Sequence, residues 1–263
     1  MSKERTDRNL PRLDQALVSA GLAKSRTKAK ELIESGLVSV KTQERSERIV
    51  EDPSFLIPEG ATVRICSSEL DRYVSRGGLK LEGALKQVGV DLRGLTCLDV
   101  GQSTGGFTDC LLSFGAARVV GVDVGTDQLD PKIKSDPRVI CLESLNAREL
   151  DKSPDFRPLI PEGGFPFAVM DVSFISQTLI HPVLKDILSP GGKLLALVKP
   201  QFELSRKDLS GKGVVKDAKM YARVEERVRQ SLADNNFDVL DWFESSLMGK
   251  DGNREFFVYA AKR

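Results

Sequence analysis

The chain is almost without histidine, with one, His181, in 263 residues. That removes most routes to histidine general-base catalysis and to imidazole-ligated metal. His181 stands in a helical pattern before Pro182 and reads as structural. Cysteine is scarce too. Cys66, Cys97, Cys110 and Cys141 form no C-x-x-C pair, and three lie in or beside apolar runs. They read as small buried hydrophobes in a reducing compartment, and no metal site or disulfide is expected. No apolar run approaches the roughly 18 residues of a membrane span, and Leu194 to Val198 is far too short. Met1 to Asn9 is charged and has no apolar core, so no secretory signal is expected and the default location is cytoplasmic. An excess of one charge is also missing. Lys and Arg number 39 against 38 Asp and Glu, a net +1, so nucleic-acid affinity has to come from local clusters. With 40% hydrophobic residues, one large and one small domain can each have a core.

What is present is glycine in a telling place. Thr96 to Val100 reads as a buried strand, ends on Gly101, crosses a small-residue turn with Gly105 and Gly106, and enters a helical pattern from Phe107 to Phe114. Such a strand–loop–helix brings backbone N–H groups close to a ligand, because glycine has no Cβ. About twenty residues on, the run Val119 to Val122 ends at Asp123, where a βαβ unit usually grips a ribose through its hydroxyls. The order Gly101-Gln-Ser-Thr-Gly105-Gly106 does not meet the G-x-G-x-x-G dinucleotide frame, and the loop has no P-loop lysine. A small-residue loop after a strand carrying Asp99 fits S-adenosylmethionine, whose cationic sulfonium and amino group favour nearby acids. Asp99, Gly101, Ser103, Gly105, Gly106, Phe107 and Asp123 are the candidate cofactor residues, together with Asn146, a loop position after the third strand expected to touch the adenine.

Toward the N-terminus, Leu13, Leu17 and Val18 fall on one helical face, Gly21 is a helix stop, and Ser25 is an N-cap for a second helix running to Glu34. Gly36 then precedes a strand, Leu37 to Val40. Lys24, Arg26, Lys28 and Lys30 surround the second helix start, an arrangement suited to phosphate oxygens, although charge runs are commonly solvated faces.

Beyond Asp123, strands and helices keep alternating. Val139 to Leu142 is expected as a third strand and Phe167 to Phe174 as a fourth, followed by a helix from Ser176 to Leu188. Lys193 to Val198 is a fifth, Asp217 to Asn235 a long amphipathic helix, and Phe237 to Glu244 and Glu255 to Lys262 close the sheet. The pattern predicts a doubly wound, Rossmann-like α/β sheet, mostly parallel with its last strand antiparallel, beside a small N-terminal α+β domain. Asp171 and Lys199 end the fourth and fifth strands, where a buried charge is costly unless paired. Lys80, expected in the first turn of the helix that follows a Ser75–Gly78 turn, and Glu255, at the start of the last strand, complete a candidate Lys-Asp-Lys-Glu set. Pro200 to Lys216 is too long for a plain turn and reads as a mobile loop able to close on RNA. Its Lys207, Lys212 and Lys216 can add phosphate contacts, though solvated loop cations are the plainer reading.

Two resemblances organise these readings. R-L-D-x-x-L-V, G-L-A-x-S-R-T-x-A-K-x-L-I and G-x-V-x-V, within residues 10–66, resemble the small RNA-binding domain first known from a ribosomal protein of the small subunit, the αL motif. The set Y-V-S-R-G-G-L-K-L, L-D-V-G-x-S-T-G-G-F-T-D, D-V-S-F-I-S, L-V-K-P-Q-F-E and G-N-R-E-F-F resembles the TlyA family of ribosomal-RNA 2′-O-methyltransferases, historically labelled hemolysin A. That resemblance implies an FtsJ-like catalytic domain, S-adenosylmethionine, a cytidine of ribosomal RNA within ribosomal subunits as substrate, and Lys80, Asp171, Lys199 and Glu255 as a catalytic tetrad. Asp171 also counts among the cofactor contacts, and Arg12, Ser25 and Arg76 join the four cations as candidate RNA contacts. Gln102 stands where that family usually has alanine and is expected to crowd the cofactor loop. The expected organisation is a flexible stretch 1–9, an RNA-binding domain 10–66, a linker 67–75 and a methyltransferase domain 76–263. Lysine serves as a base only if its pKa falls from about 10.4, so Lys199 is expected at the 2′-oxygen as base or positioner, with Asp171 orienting it. Two rivals stand beside this reading. One is a non-catalytic RNA-binding protein, and the other a membrane-lytic protein suggested only by the historical label.

Overall fold

A computed structural model describes residues 10–34, 37–42, 48–65, 72–249 and 252–263. The expected flexible stretch 1–9, Gly36, Cys66 and residues 67–71 of the expected linker lie outside the described residues. The chain divides into two compact units, residues 1–71 and 72–263.

In the first unit, α1 (Leu13–Ser19) and α2 (Arg26–Glu34) pack on a three-stranded antiparallel sheet, β1 (Val38–Lys41), β2 (Arg48–Ile49) and β3 (Thr62–Ile65), in the order β2-β1-β3. Leu13, Leu17, Ala29 and Ile33, three or four residues apart on each helix, bury against Val38 and Val40. Ser25 Oγ accepts the Lys28 N–H at 3.2 Å, the expected cap of α2. Asp14 is fully buried, which is tolerable because Arg12 Nε and Arg26 Nη2 donate to its two carboxylate oxygens at 3.1 and 2.9 Å.

In the second unit, seven strands lie in the order β6-β5-β4-β7-β8-β10-β9: β4 (Thr96–Val100), β5 (Arg118–Val122), β6 (Val139–Leu142), β7 (Phe165–Met170), β8 (Leu188–Val198), β9 (Phe237–Glu244) and β10 (Phe256–Lys262). The first five run parallel, and β10 is antiparallel to both neighbours. Alternate residues of the central strands serve opposite cores. Leu98, Val100, Ala168 and Met170 face α6 (His181–Ile187) and α8 (Lys219–Asp234), whereas Cys97, Phe167 and Val169 face α3 (Arg76–Val88) and α4 (Gly106–Ser113); the short α5 (Pro131–Lys134) links β5 to β6. Both faces being buried explains why these strands are short, nearly continuous apolar runs. An αL-type end closes α3, with Gly89 at φ +64° donating to Leu85 O.

Four expectations shift. Ser75 is the cap position of α3 and Arg76–Gly78 are already helical, so Lys80 falls in the second turn. Arg72–Ser75, read as linker, belong to the second unit: Tyr73 is buried and the Val74 N–H donates to Asp109 at 2.9 Å. The fourth strand stops at Met170, because the chain turns away at Asp171 and reaches φ +65° at Phe174. The helix after it is split into a 3-10 turn, Gln177–Leu179, and α6, with Pro182 in the first turn of α6.

Candidate active site

The sheet reverses its winding between β4 and β7, and ligands of such folds sit at the carboxyl ends of the strands flanking that point. There the Asp171 N–H donates to Val100 O at 2.9 Å, and the loop after β4 passes so close that a Cβ on Gly101 (φ +84°) would stand 2.6 Å from Asp171 O. Glycine is required here by contact and by conformation. Gly101 and Gln102 both donate their N–H to Val122 O, at 2.9 and 3.1 Å, and Ser103 donates its N–H to Asp123 Oδ2 at 2.7 Å. Asp123 Oδ1 accepts the Gly125 N–H at 2.7 Å. The expectation of bare backbone donors is therefore corrected: the N–H groups of residues 101–103 are spent on the end of β5. A loop with its amides so occupied is a poor phosphate cradle, and acid-lined walls suit a cation.

A cavity of about 510 Å³ opens at this edge, within the range of small-molecule sites. Gly101, Ser103, Asp123, Asn146, Asp171 and Phe174 line it, with Val122, Leu145, Val172 and Ile180 as apolar wall. S-adenosylmethionine fits these residues: two carboxylates for its positive groups and ribose, an amide, and apolar surface for its adenine. Asn146 Oδ1 caps the following 3-10 turn by accepting the Arg148 N–H at 3.1 Å.

Four expected cofactor residues do not reach the cavity wall. Asp99 is fully buried beneath α4, where Thr108 Oγ1 donates to its Oδ2 at 2.7 Å. Burial pushes its carboxyl up to about 7 against that hydrogen bond, with the Asp171 and Asp123 charges adding to the rise. Gly105 (φ +91°) caps α4, and a Cβ there would meet Leu129 at 2.8 Å. Gly106 lets α4 cross Ser75, where a Cβ would meet Oγ at 2.1 Å. Phe107 is buried and stacks on Phe257 with centroids 6.4 Å apart. All four support the loop from behind. Gln102, expected to crowd it, turns inward instead: it is buried over Gly121 and its Nε2 donates to Thr108 Oγ1 at 2.8 Å.

The four charged residues form two ion pairs. Lys199 Nζ lies 2.5 Å from Asp171 Oδ1 and donates to Ser173 Oγ at 2.9 Å. Lys80 Nζ pairs with Glu255 Oε2, and Glu255 is only 3% exposed. The ladder between β8 and β10 pairs Val198 with Phe256, so its next step sets Lys199 level with Glu255. Lys80 reaches that carboxylate from α3.

In the first unit, Arg12 and Arg26 are committed to Asp14, and Lys28 pairs with Glu31 at 3.2 Å. Lys24 and Lys30 are exposed, as is Arg76 at the start of α3. Sequence reasoning missed Phe174, which is 91% exposed at the cavity and packs its ring 5.1 Å from that of Phe202. It also missed Glu203, on the short helix α7 (Pro200–Glu203), which accepts the Ser176 hydroxyl and, at 2.8 Å, the Gln177 N–H. Burial raises the Glu203 carboxyl against those two bonds. The signal was an aromatic standing just past a strand end, inside D-V-S-F-I-S.

Among family profiles, that for the FtsJ-like methyltransferase matches residues 73–262 and that for the S4 domain matches residues 11–63. The chain is 42% identical over 248 residues to a putative rRNA methyltransferase, YqxC, of Bacillus subtilis, covering 94% of this chain and 84% of that one. It is 36% identical to the 16S/23S rRNA (cytidine-2′-O)-methyltransferase TlyA of Mycobacterium tuberculosis, covering 94% and 88%. A solved structure described as a putative hemolysin from Streptococcus thermophilus superposes with a TM-score of 0.72 at 38% identity, covering 96% of this chain and 88% of that one.

Proposed function

The chain belongs to the FtsJ-like methyltransferase family, and on that premise we propose that it methylates the ribose 2′-oxygen of a cytidine in ribosomal RNA, with S-adenosylmethionine as donor. The observation that carries this reading is the double duty of Asp171, which lines the cavity and touches Lys199. A methyl donor in the cavity and a hydroxyl at Lys199 are thereby neighbours of one carboxylate.

S-adenosylmethionine supplies an electrophilic methyl group on a sulfonium. Asp123 would accept its ribose hydroxyls, Asn146 would lie against its adenine, and Asp171 would face its positive charge. On the acceptor side, a ribose hydroxyl is a weak nucleophile until its proton is taken or its lone pair is aimed. Lys199 Nζ is the group we place at that oxygen, as base or positioner. Asp171 and Ser173 fix its direction. Lys80 and Glu255, held to each other, would orient the ribose. Phe174 offers a ring face at the cavity mouth, and stacking on a base is worth roughly 1–3 kcal/mol. The S4 domain is the RNA-binding part, and the substrate is taken within ribosomal subunits. A lytic role has little to stand on: among the described residues no helix is long and apolar enough to cross a membrane.

The test is transfer of labelled methyl from S-adenosylmethionine to purified 30S and 50S subunits, beside Lys199→Ala. Label lost in the variant and resistant to alkaline cleavage at one cytidine supports donor, enzyme and atom together. No binding of S-adenosylmethionine would leave a non-catalytic RNA-binding protein.

A further inference from the structure

Between Arg206 and Arg223 the chain carries Arg206, Lys207, Lys212, Lys216, Lys219 and Arg223 against Asp208 and Asp217, a local +4 in a chain of net +1. All six cations are exposed and none forms an ion pair among the described residues, although Lys216 Nζ donates to Lys207 O at 3.1 Å and, after the Ser205 hydrogen bond, the charges of Lys207 and Arg223 help to hold the Asp208 carboxyl below its usual value. Elsewhere in the same unit the exposed cations are commonly neutralised: Arg93 by Asp91, Arg138 by Asp136, Arg254 by Glu244. The two acids of the stretch are engaged locally. Asp208 accepts the Ser205 hydroxyl at 2.5 Å, and Asp217 accepts the Lys219 N–H at 2.9 Å at the start of α8.

Nor is the stretch a shapeless loop. Leu209 bridges Val215, Ser210 donates to Val214 O at 2.7 Å, and Gly213 donates back to Ser210 O at 2.9 Å, making a short hairpin with Gly211-Lys212-Gly213 at its tip. A Cβ on either tip glycine would meet nothing within 4 Å, so packing does not demand these glycines, though the left-handed backbone at Gly213 (φ +77°) does favour one there. They leave a bare backbone that a bulky strand can approach. The hairpin is fastened beside the tetrad. Asn253, 1% exposed, accepts the Val215 N–H at 3.1 Å and donates to Gly213 O at 3.0 Å, two residues before Glu255. Its other end follows α7, which begins next to Lys199.

We propose that this hairpin and the start of α8, as far as Arg223, are a docking surface for the phosphates of the RNA strand that flanks the methylated ribose. The inference rests on the RNA-methylating reading above. The catalytic unit thus has its own grip on the strand, and Asn253 ties that grip to the Glu255 end of the site. Unpaired cations around an exposed glycine tip suit a flexible, single-stranded backbone, whose binding weakens with salt by a slope of about 0.7 per phosphate neutralised.

The experiment joins Lys207→Gln, Lys212→Gln and Lys219→Gln in one variant of the full chain. A control, Arg93→Gln with Arg118→Gln, removes charge near the opposite, amino edge of the sheet. Binding to purified 30S and 50S subunits is measured between about 50 and 200 mM salt, with methyl transfer and S-adenosylmethionine affinity measured separately. We expect the triple variant to raise KM for subunits at least tenfold, with cofactor affinity intact and a log–log salt slope shallower by about 2, and the control to do neither. A triple variant with wild-type slope and KM, or one matched by the control, overturns the proposal. Wild-type binding without methyl transfer would instead sink the enzymatic reading, and the salt slope would still decide the docking surface.

Discussion

Gly101→Ala is the substitution whose consequence the structure sets most directly. The residue holds φ +84°, and the added Cβ would lie 2.6 Å from the carbonyl oxygen of Asp171, 3.0 Å from its carbonyl carbon and 3.3 Å from Val172 Cγ1. Left-handed backbone costs a non-glycine residue about 1–2 kcal/mol. The closest contact is roughly 0.8 Å inside the ordinary 3.4 Å limit and involves backbone, which cannot swing aside. Overpacking of that kind costs about 1–3 kcal/mol. The sum, about 2–5 kcal/mol, corresponds to a fall in Tm of about 5–15 °C for a unit of this size. The movement that relieves the contact must shift Asp171, and with it Lys199. A displacement near 1 Å can cost about a hundredfold in rate. Gly163→Ala is the internal reference: φ is +81° but a Cβ there meets nothing within 4 Å, so only the backbone cost remains. Thermal unfolding and calorimetric S-adenosylmethionine binding are measured on both. The reasoning is refuted if Gly101→Ala melts with Gly163→Ala and binds S-adenosylmethionine like the wild type.

Lys199→Ala should lower methyl transfer by about 10²–10⁴-fold, the usual contribution of a positioned acid or base, with S-adenosylmethionine binding retained; an undiminished rate removes Lys199 from the chemistry. Lys199→Arg, which cannot deprotonate, should be equally inactive if the lysine takes the proton and partly active if it only aims the oxygen. His181 is held neutral, burial pushing it down to about 3, while its Nδ1 lies 2.8 Å from Ser231 Oγ. Because the folded value lies below the unfolded one, near 6.5, stability is full above that pH and is lost as pH falls through the window, by about 1.4 kcal/mol per unit. Urea titrations from pH 7.5 to 4.5 should show His181→Gln gaining on the wild type by that slope, and parallel curves would contradict it. Asp99 has the opposite sign: its carboxyl is raised to about 7, so its contribution is present at low pH and lost as pH rises toward 7. Asp99→Asn should flatten that loss in the same titrations. Phe174→Gly should leave Tm unchanged or raise it, since the ring is exposed and φ is +65°, while raising KM for subunits; a lowered Tm would mean the ring is structural.

The sequence by itself determined the order of elements, because buried parallel strands must be apolar runs and glycines mark the ends of α3, at Gly89, and of α4, at Gly115. It determined the loop after β4 as well, since Gly101 and Gly105 occupy backbone conformations that few other residues adopt without strain. The set Lys80, Asp171, Lys199 and Glu255 was legible as charged residues at strand ends and on the helix before β4. That Asp171 would meet Lys199 was legible from their places at the ends of neighbouring strands, but that Lys80 would meet Glu255 was not, because that depends on β10 entering antiparallel between β8 and β9 and on α3 reaching across to it. Tertiary structure alone also decided the fate of individual side chains. Asp99 and Asp123 both stand at the loop-side ends of neighbouring strands, yet one is sealed under Thr108 and the other lines the cavity. The two strands stop level, at Val100 and Val122, so Asp99 lies inside the ladder opposite Gly121 while Asp123 stands one residue past it, and that offset is invisible in composition. Arg12 and Arg26 read as RNA contacts, and only the packed fold reveals that each also pairs with Asp14, a buried carboxylate whose cost those pairs offset. Local backbone rules are written residue by residue in the sequence, whereas the partner of a charge is fixed by the chain segments that the fold brings beside it.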